Sequence, residues 1–74
     1  MNEYNEICDN RKRIGSRIAK IRAEMNISQY KLADMTGLKQ SNIARIESGK
    51  CSTGIDVLSR MADALGCAVE FINK

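Results

Sequence analysis

Single glycines at 37, 49 and 66 each stand just past a run of apolar residues at helical spacing, and this punctuation constrains the fold most. Glycine takes the left-handed backbone that ends a helix without steric cost. The spacing therefore predicts three short helices between residues 28 and 66, preceded by a longer one. In the first segment Ile14, Ile18, Ile21 and Met25 fall at i, i+4, i+7 and i+11, one apolar stripe. Asp9 or Asn10 would cap it, and Asn26 ends the pattern. Ile7 extends the stripe backwards by a heptad, which leaves an earlier start open. The second segment runs from Ser28, an N-cap, to Thr36, with Leu32 and Met35 inward and Ala33 beside them. The third covers about Gln40 to Ser48, with Ile43 and Ile46 inward. In the fourth, Thr53 and Asp56 form a T-x-x-D capping box ahead of the stripe Ile55, Leu58, Met61, Ala62 and Leu65. All five glycines read as helix-end residues.

The last segment, Cys67-Ala68-Val69-Glu70-Phe71-Ile72, is β-branched and aromatic and reads as a strand. No second strand pattern accompanies it, and a strand's backbone groups need a ladder partner. The same strand from a second copy, related by a two-fold axis, would supply one, with Val69 and Phe71 on the pairing element. The alternative is an extended tail resting loosely on the helices. The organisation expected is an acidic extension over 1–10, a helical domain over 11–66 and the strand over 67–74.

Seventy-four residues hold one small domain, with no room for a dinucleotide-binding sheet or a substrate cleft. The chain has no histidine, so Ser-His and Cys-His nucleophile pairs and His-ligated zinc or haem are excluded. Cys8, Cys51 and Cys67 lie 43 and 16 residues apart, which is neither a disulfide framework nor a metal knuckle. They read as small apolar fillers in a reducing cytoplasm, Cys51 in a loop and Cys67 in the strand. No apolar run is long enough to span a membrane, and the acidic N-terminus is the opposite of a signal peptide. The expectation is a cytoplasmic, non-enzymatic protein with no metal, no cofactor and no small-molecule substrate.

The net charge of +3 conceals a division. The first ten residues carry three acids and no base, whereas residues 11–50 carry ten bases against three acids. A basic stretch is either a solvated helix face or a footprint for phosphate. Arg11, Lys12, Arg13 and Arg17 cluster early in the first helix and admit both readings.

The middle of the chain decides between them. Residues 29–46 describe a short helix, a turn at Gly37 and a second short helix. Ala33 is small where two crossing helices approach, and Leu32, Leu38, Ile43 and Ile46 fill the wedge behind them. That is a helix-turn-helix unit. Its outer face carries Gln29, Lys39, Gln40, Ser41, Asn42 and Arg45, all hydrogen-bonding and none acidic.

Here the sequence resembles the Xre-type helix-turn-helix family, which includes phage repressors and Cro. The resemblance runs from about Ile14 to Leu65. It rests on Ile14-Gly15 followed by Ile18 and Arg22, Ile27-Ser28-Gln29 followed by Leu32-Ala33, Gly37-Leu38, Gln40-Ser41-Asn42-Ile43, Ile46-Glu47-Ser48-Gly49-Lys50, Leu58, and Ala64-Leu65-Gly66. Thr53 stands where many members have proline, and it would cap the fourth helix instead.

The resemblance implies an all-α, lambda-repressor-like bundle of four to five helices, here with a short C-terminal β-strand, whose third helix enters the major groove of double-stranded DNA. Ala33, Gly37, Ile43 and Ile46 would be its structural positions. Gln40, Ser41 and Arg45 would face base edges, as glutamine suits adenine and arginine suits guanine. Gln29, Lys39, Asn42, Lys50 and Arg17 would contact the DNA backbone, Gln29 also bracing the third helix. Arg22 and Glu47 match a pair that bridges the first and third helices. The function implied is a repressor acting as a homodimer on an inverted repeat. The alternative is an antitoxin that binds a toxin protein and represses its own operon.

Overall fold

The computed structural model describes residues 3–73. Four helices follow one another: α1 (Glu3–Glu24), α2 (Gln29–Thr36), α3 (Gln40–Glu47) and α4 (Ile55–Ala64). The core lies where α1, α2, α3 and α4 converge. Leu32, Ile43 and Met61 are fully buried, with Ile18, Ala33, Ile46 and Leu65 closing around them. Each fully buried side chain of this size contributes roughly 1.5–3 kcal/mol.

Local chemistry sets most of the boundaries. Ser28 Oγ accepts the backbone N–H of Lys31 at 3.0 Å and so caps α2. Gly37, at φ 73°, ends α2, and its N–H donates to the Ala33 carbonyl. Thr36 is buried beside this turn, its hydroxyl donating to the Leu32 carbonyl at 2.7 Å.

Several expectations need correction. Helix α1 begins at Glu3, so Asp9 and Asn10 lie inside it and cap nothing. The backward extension of the stripe through Ile7 is the reading the backbone follows. The capping box on Thr53 does not form: Gly54 holds the N-cap position with extended backbone and no side-chain bond. Helix α4 starts one residue too late for the Thr53 hydroxyl to reach its third N–H. Asp56 instead sits in the first turn, where its charge suits the helix dipole.

The apolar stripes are also narrower than their spacing suggests. Met25, Met35 and Ile55 are exposed, Ile55 to 70%. Ile14, inside the α1 stripe, is exposed as well.

Gly15 is not a helix-end residue. It lies in the middle of α1 and faces the C-terminal end of α3. A Cβ there would overlap the carbonyl oxygen of Ile46 and lie 2.8 Å from that of Glu47. Only a residue without a side chain lets the two helices meet at this distance.

Among the described residues there is no β-strand. The segment after α4 leaves the helix through Gly66, at φ 71°, and runs on without a ladder partner. Backbone groups that pair with nothing in the chain make no strand. Cys67 is exposed, so it does not fill an interior, whereas Cys51 packs half-buried against the core.

Candidate nucleic-acid interface

Helix α3 has a period of 3.6 residues, which sets Ser41 and Arg45 opposite the buried pair Ile43 and Ile46. Ser41, Asn42 and Arg45 are exposed, as is Lys39 at the N-cap. Gln40 is half-buried on the edge nearest α2. Neither α2 nor α3 has an acidic residue in its first turn, so both positive helix ends lack a local counter-charge.

The single acid of α3, Glu47, is turned inward. Its carboxylate accepts from Arg22 Nε at 2.7 Å and from Arg22 Nη2 at 3.0 Å. The side chains keep only 6% and 17% of their exposure. Arg22 Nη1 also donates to the Ile27 carbonyl at 2.8 Å, so the guanidinium ties α1 both to α3 and to the loop before α2. The hydrogen bond to Glu47 holds the Arg22 guanidinium above its ordinary pKa, with burial pulling the other way. The ion pair therefore removes the negative charge of α3 from its outer surface while fixing the helix in place.

Two glutamines extend this contact outward. Gln29 Nε2 donates to Glu47 Oε1 at 3.0 Å, and Gln29 Oε1 accepts from Gln40 Nε2 at 2.7 Å. Gln29 thus joins the start of α2 to both ends of α3. A second arginine, which the sequence gave no reason to single out, performs a similar service elsewhere: Arg60 of α4 donates to the Thr36 carbonyl at 3.4 Å.

Further exposed basic residues flank this ridge in sequence, among them Lys12, Arg13 and Arg17 on α1 and Lys50 after α3. Arg11 is half-buried. Gly49, at φ 74°, lies against the Lys12 stem, which a Cβ would meet at 2.7 Å. The first half of α1 and the segment after α3 are therefore held together.

On another side, α1, α4 and the tail enclose an open groove of about 570 Å³. Ile14, Ile55, Val69 and Phe71 line it, with Arg13 and Arg17 on the α1 side and Glu70 on the tail. Phe71 is 99% exposed. Among the described residues no helix is long and apolar enough to cross a membrane, and no cluster of side chains is arranged to hold a metal ion.

Comparison with known proteins gives a consistent picture. Residues 18–72 match the helix-turn-helix family. A curated relative is the SPbeta prophage-derived HTH-type transcriptional regulator YonR of Bacillus subtilis, 28% identical over 60 residues. That match takes in 81% of this chain but 56% of the regulator, so the chain spans about half the length of that relative. Among solved structures, the restriction-modification controller protein C.AhdI of Aeromonas hydrophila superposes with a TM-score of 0.78 at 25% identity, covering 80% of this chain and 89% of its own. A chain of a toxin–antitoxin module from Streptococcus pneumoniae superposes with a TM-score of 0.74 at 32% identity, covering 99% of this chain and 81% of its own.

Proposed function

The chain belongs to the helix-turn-helix family that it matches over residues 18–72, and from that premise we propose that it binds double-stranded DNA sequence-specifically and regulates transcription. One observation carries this reading: α3 presents Ser41 and Arg45 outward with Gln40 at their edge, while its only carboxylate is drawn inward by Arg22. A ridge of donors and acceptors without a negative charge suits the edges of bases lying between two rows of phosphates. Arg45, Ser41 and Gln40 read bases. Lys39, Asn42, Lys50, Arg17 and the N-terminal end of α2 at Gln29 contact the backbone.

A half-site read by three side chains discriminates few base pairs, so the chain acts as a homodimer on an inverted repeat, with half-sites roughly 34 Å apart. The unpaired tail supports this. Val69 and Phe71 are exposed, and the segment's backbone has no ladder partner among the described residues, which the same segment of a two-fold-related copy would supply. Occupying a promoter in this way represses it.

Selection of duplexes from a pool with random cores tests the assignment, with Arg45→Ala and Lys50→Ala measured beside the parent. Arg45→Ala relaxes the preference at one position per half-site, by about 1–3 kcal/mol. Lys50→Ala weakens all duplexes alike and lowers the salt slope by about 1 per half-site, about 2 on the full inverted repeat. Two variants that select the parental sequences with parental affinity and salt slope would refute these roles.

A second reading, an antitoxin that also represses its own operon, draws support from the pneumococcal toxin–antitoxin chain, whose likeness extends over 99% of this one. The apolar groove would then receive a toxin protein. A small toxin-like reading frame beside the gene, whose product co-purifies with this chain and is lost on Phe71→Asp, would favour it.

A further inference from the structure

The division of charge along the sequence falls within a single helix. Glu6 stands in the first half of α1 and Arg13 further on, and both are exposed. Ile7 and Ile14 each follow one position later and are also uncovered, to 48% and 37%. The members of each pair are seven residues apart. Residues at that spacing on an α-helix point within about 20° of one another. Ile7 and Ile14 therefore share one face, and Glu6 and Arg13 share one flank of it. Arg13 and Ile14 also line the groove between α1, α4 and the tail, where Ile55 and Phe71 are uncovered. Among the described residues neither Glu6 nor Arg13 has an ion-pair partner in its own chain. The second half of α1 is fastened to α3 through Gly15 and Arg22, whereas Ile7 lies about two turns ahead of Gly15.

We propose that the first half of α1 from a second copy lies antiparallel on this face, so that each copy closes the other's groove. A two-fold axis crossing α1 near Asn10 brings Ile7 of one copy against Ile14 of the other, and Glu6 against Arg13. Each contact forms twice, because such a surface must complement itself. The rotation carries each flank of the helix onto the same flank of its partner, so the opposite charges of Glu6 and Arg13 meet. A parallel pairing would set Glu6 beside Glu6 and Arg13 beside Arg13, and like charges so placed repel. The order of charges thus selects the direction. A second copy answers both signs at once, whereas a purely acidic or purely basic partner would leave one unmatched. The groove's remaining charges, Arg17 and Glu70, are of opposite sign and favour neither. This contact goes beyond the tail-paired dimer, which would use the backbone edge of residues 67–73 and leave the α1 face uncovered.

Sedimentation equilibrium of the full chain tests this. The samples are the parent, Glu6→Arg, Arg13→Glu, an equimolar mixture of the two variants, and a chain carrying both changes. Circular dichroism checks that each keeps its helices. In either variant alone like charges meet at both contacts, and the association constant of this step falls about tenfold or more. In the mixture opposite charges meet again at each contact, and the lost step returns. The chain carrying both changes regains it as well. In the parent the step weakens with added salt. Where the tail ladder also forms, the step lies between dimer and tetramer. Where it does not, the step lies between monomer and dimer, so failure of the ladder leaves the result readable. Single variants that associate as the parent does would overturn the proposal and leave the groove to another occupant. So would a loss that neither the mixture nor the double change restores. A parent that stays monomeric would refute the ladder and the α1 contact together.

Discussion

The two sides of α1 are held in opposite ways. Against α3 the helix is locked: Gly15 lets the backbones touch, and Arg22 closes the contact with bonds to Glu47 and to the Ile27 carbonyl. Toward α4 and the tail the same helix faces an open apolar groove, with Ile14, Ile55 and Phe71 uncovered. The first side holds every side-chain hydrogen bond in the path from Arg22 to Gln40. On the second, the tail's recorded side-chain bonds stay within two residues, such as Glu70 accepting from the Phe71 N–H. The locked side fixes the angle of α3 within one copy. The open side has the features of a surface completed by something else.

If this contrast is correct, substitutions on the locked side cost folding energy and those on the open side do not. The largest loss is expected for Arg22→Ala. It strands the Glu47 carboxylate, only 6% exposed, with Gln29 as its remaining partner. Breaking such a pair from one side costs about 3–5 kcal/mol, much of a small domain's stability. Denaturant unfolding measures it. The double variant Arg22→Ala/Glu47→Ala should lose clearly less than the sum of the two single changes, because the stranded charge is gone.

Gly15→Ala comes next. Overlap with the Ile46 and Glu47 carbonyls costs up to about 3 kcal/mol, and removing a glycine from a helix interior returns about 1 kcal/mol. The net loss of roughly 2 kcal/mol lowers the thermal midpoint by roughly 8–16 °C. A midpoint that rises instead would show that α1 and α3 can part at little cost, and that the lock depends on Arg22 alone.

What could be read in the sequence follows from the range of each interaction. The Ser28 cap and the Gly37 turn depend on neighbours within four residues, and the chain order displays both. The order of four helices follows from the same short-range punctuation. Features set by tertiary approach were less legible. Gly15 looks like any other glycine until α3 lies against it. The Arg22–Glu47 contact joins residues 25 apart, and only likeness to known chains sets the two side by side. The bonds from Gln29 to Glu47 and Gln40 needed coordinates, because composition and spacing do not give the direction in which an amide points. Thr53 shows how a local rule fails: a one-residue shift in the start of α4 takes the hydroxyl out of reach. The tail shows a different limit, because strand propensity becomes a strand only when a partner backbone is present.

The smallest effect on folding, and the sharpest test of the contrast, is expected at Phe71. The ring is 99% exposed, so Phe71→Asp removes almost no contact within one copy and should change unfolding stability by less than about 0.5 kcal/mol. If the tail joins two copies, the same change places a carboxylate beside Glu70 at the two-fold contact and abolishes the dimer in sedimentation equilibrium. Operator affinity then falls about 10²-fold or more, because the second half-site is no longer tethered to the first. A duplex carrying a single half-site should bind parent and variant equally, since α3 and its bonds to Arg22 and Gln29 are untouched. Unchanged dimerisation in Phe71→Asp would move the interface elsewhere, and a loss of single-half-site binding would show that the open side also shapes the locked one.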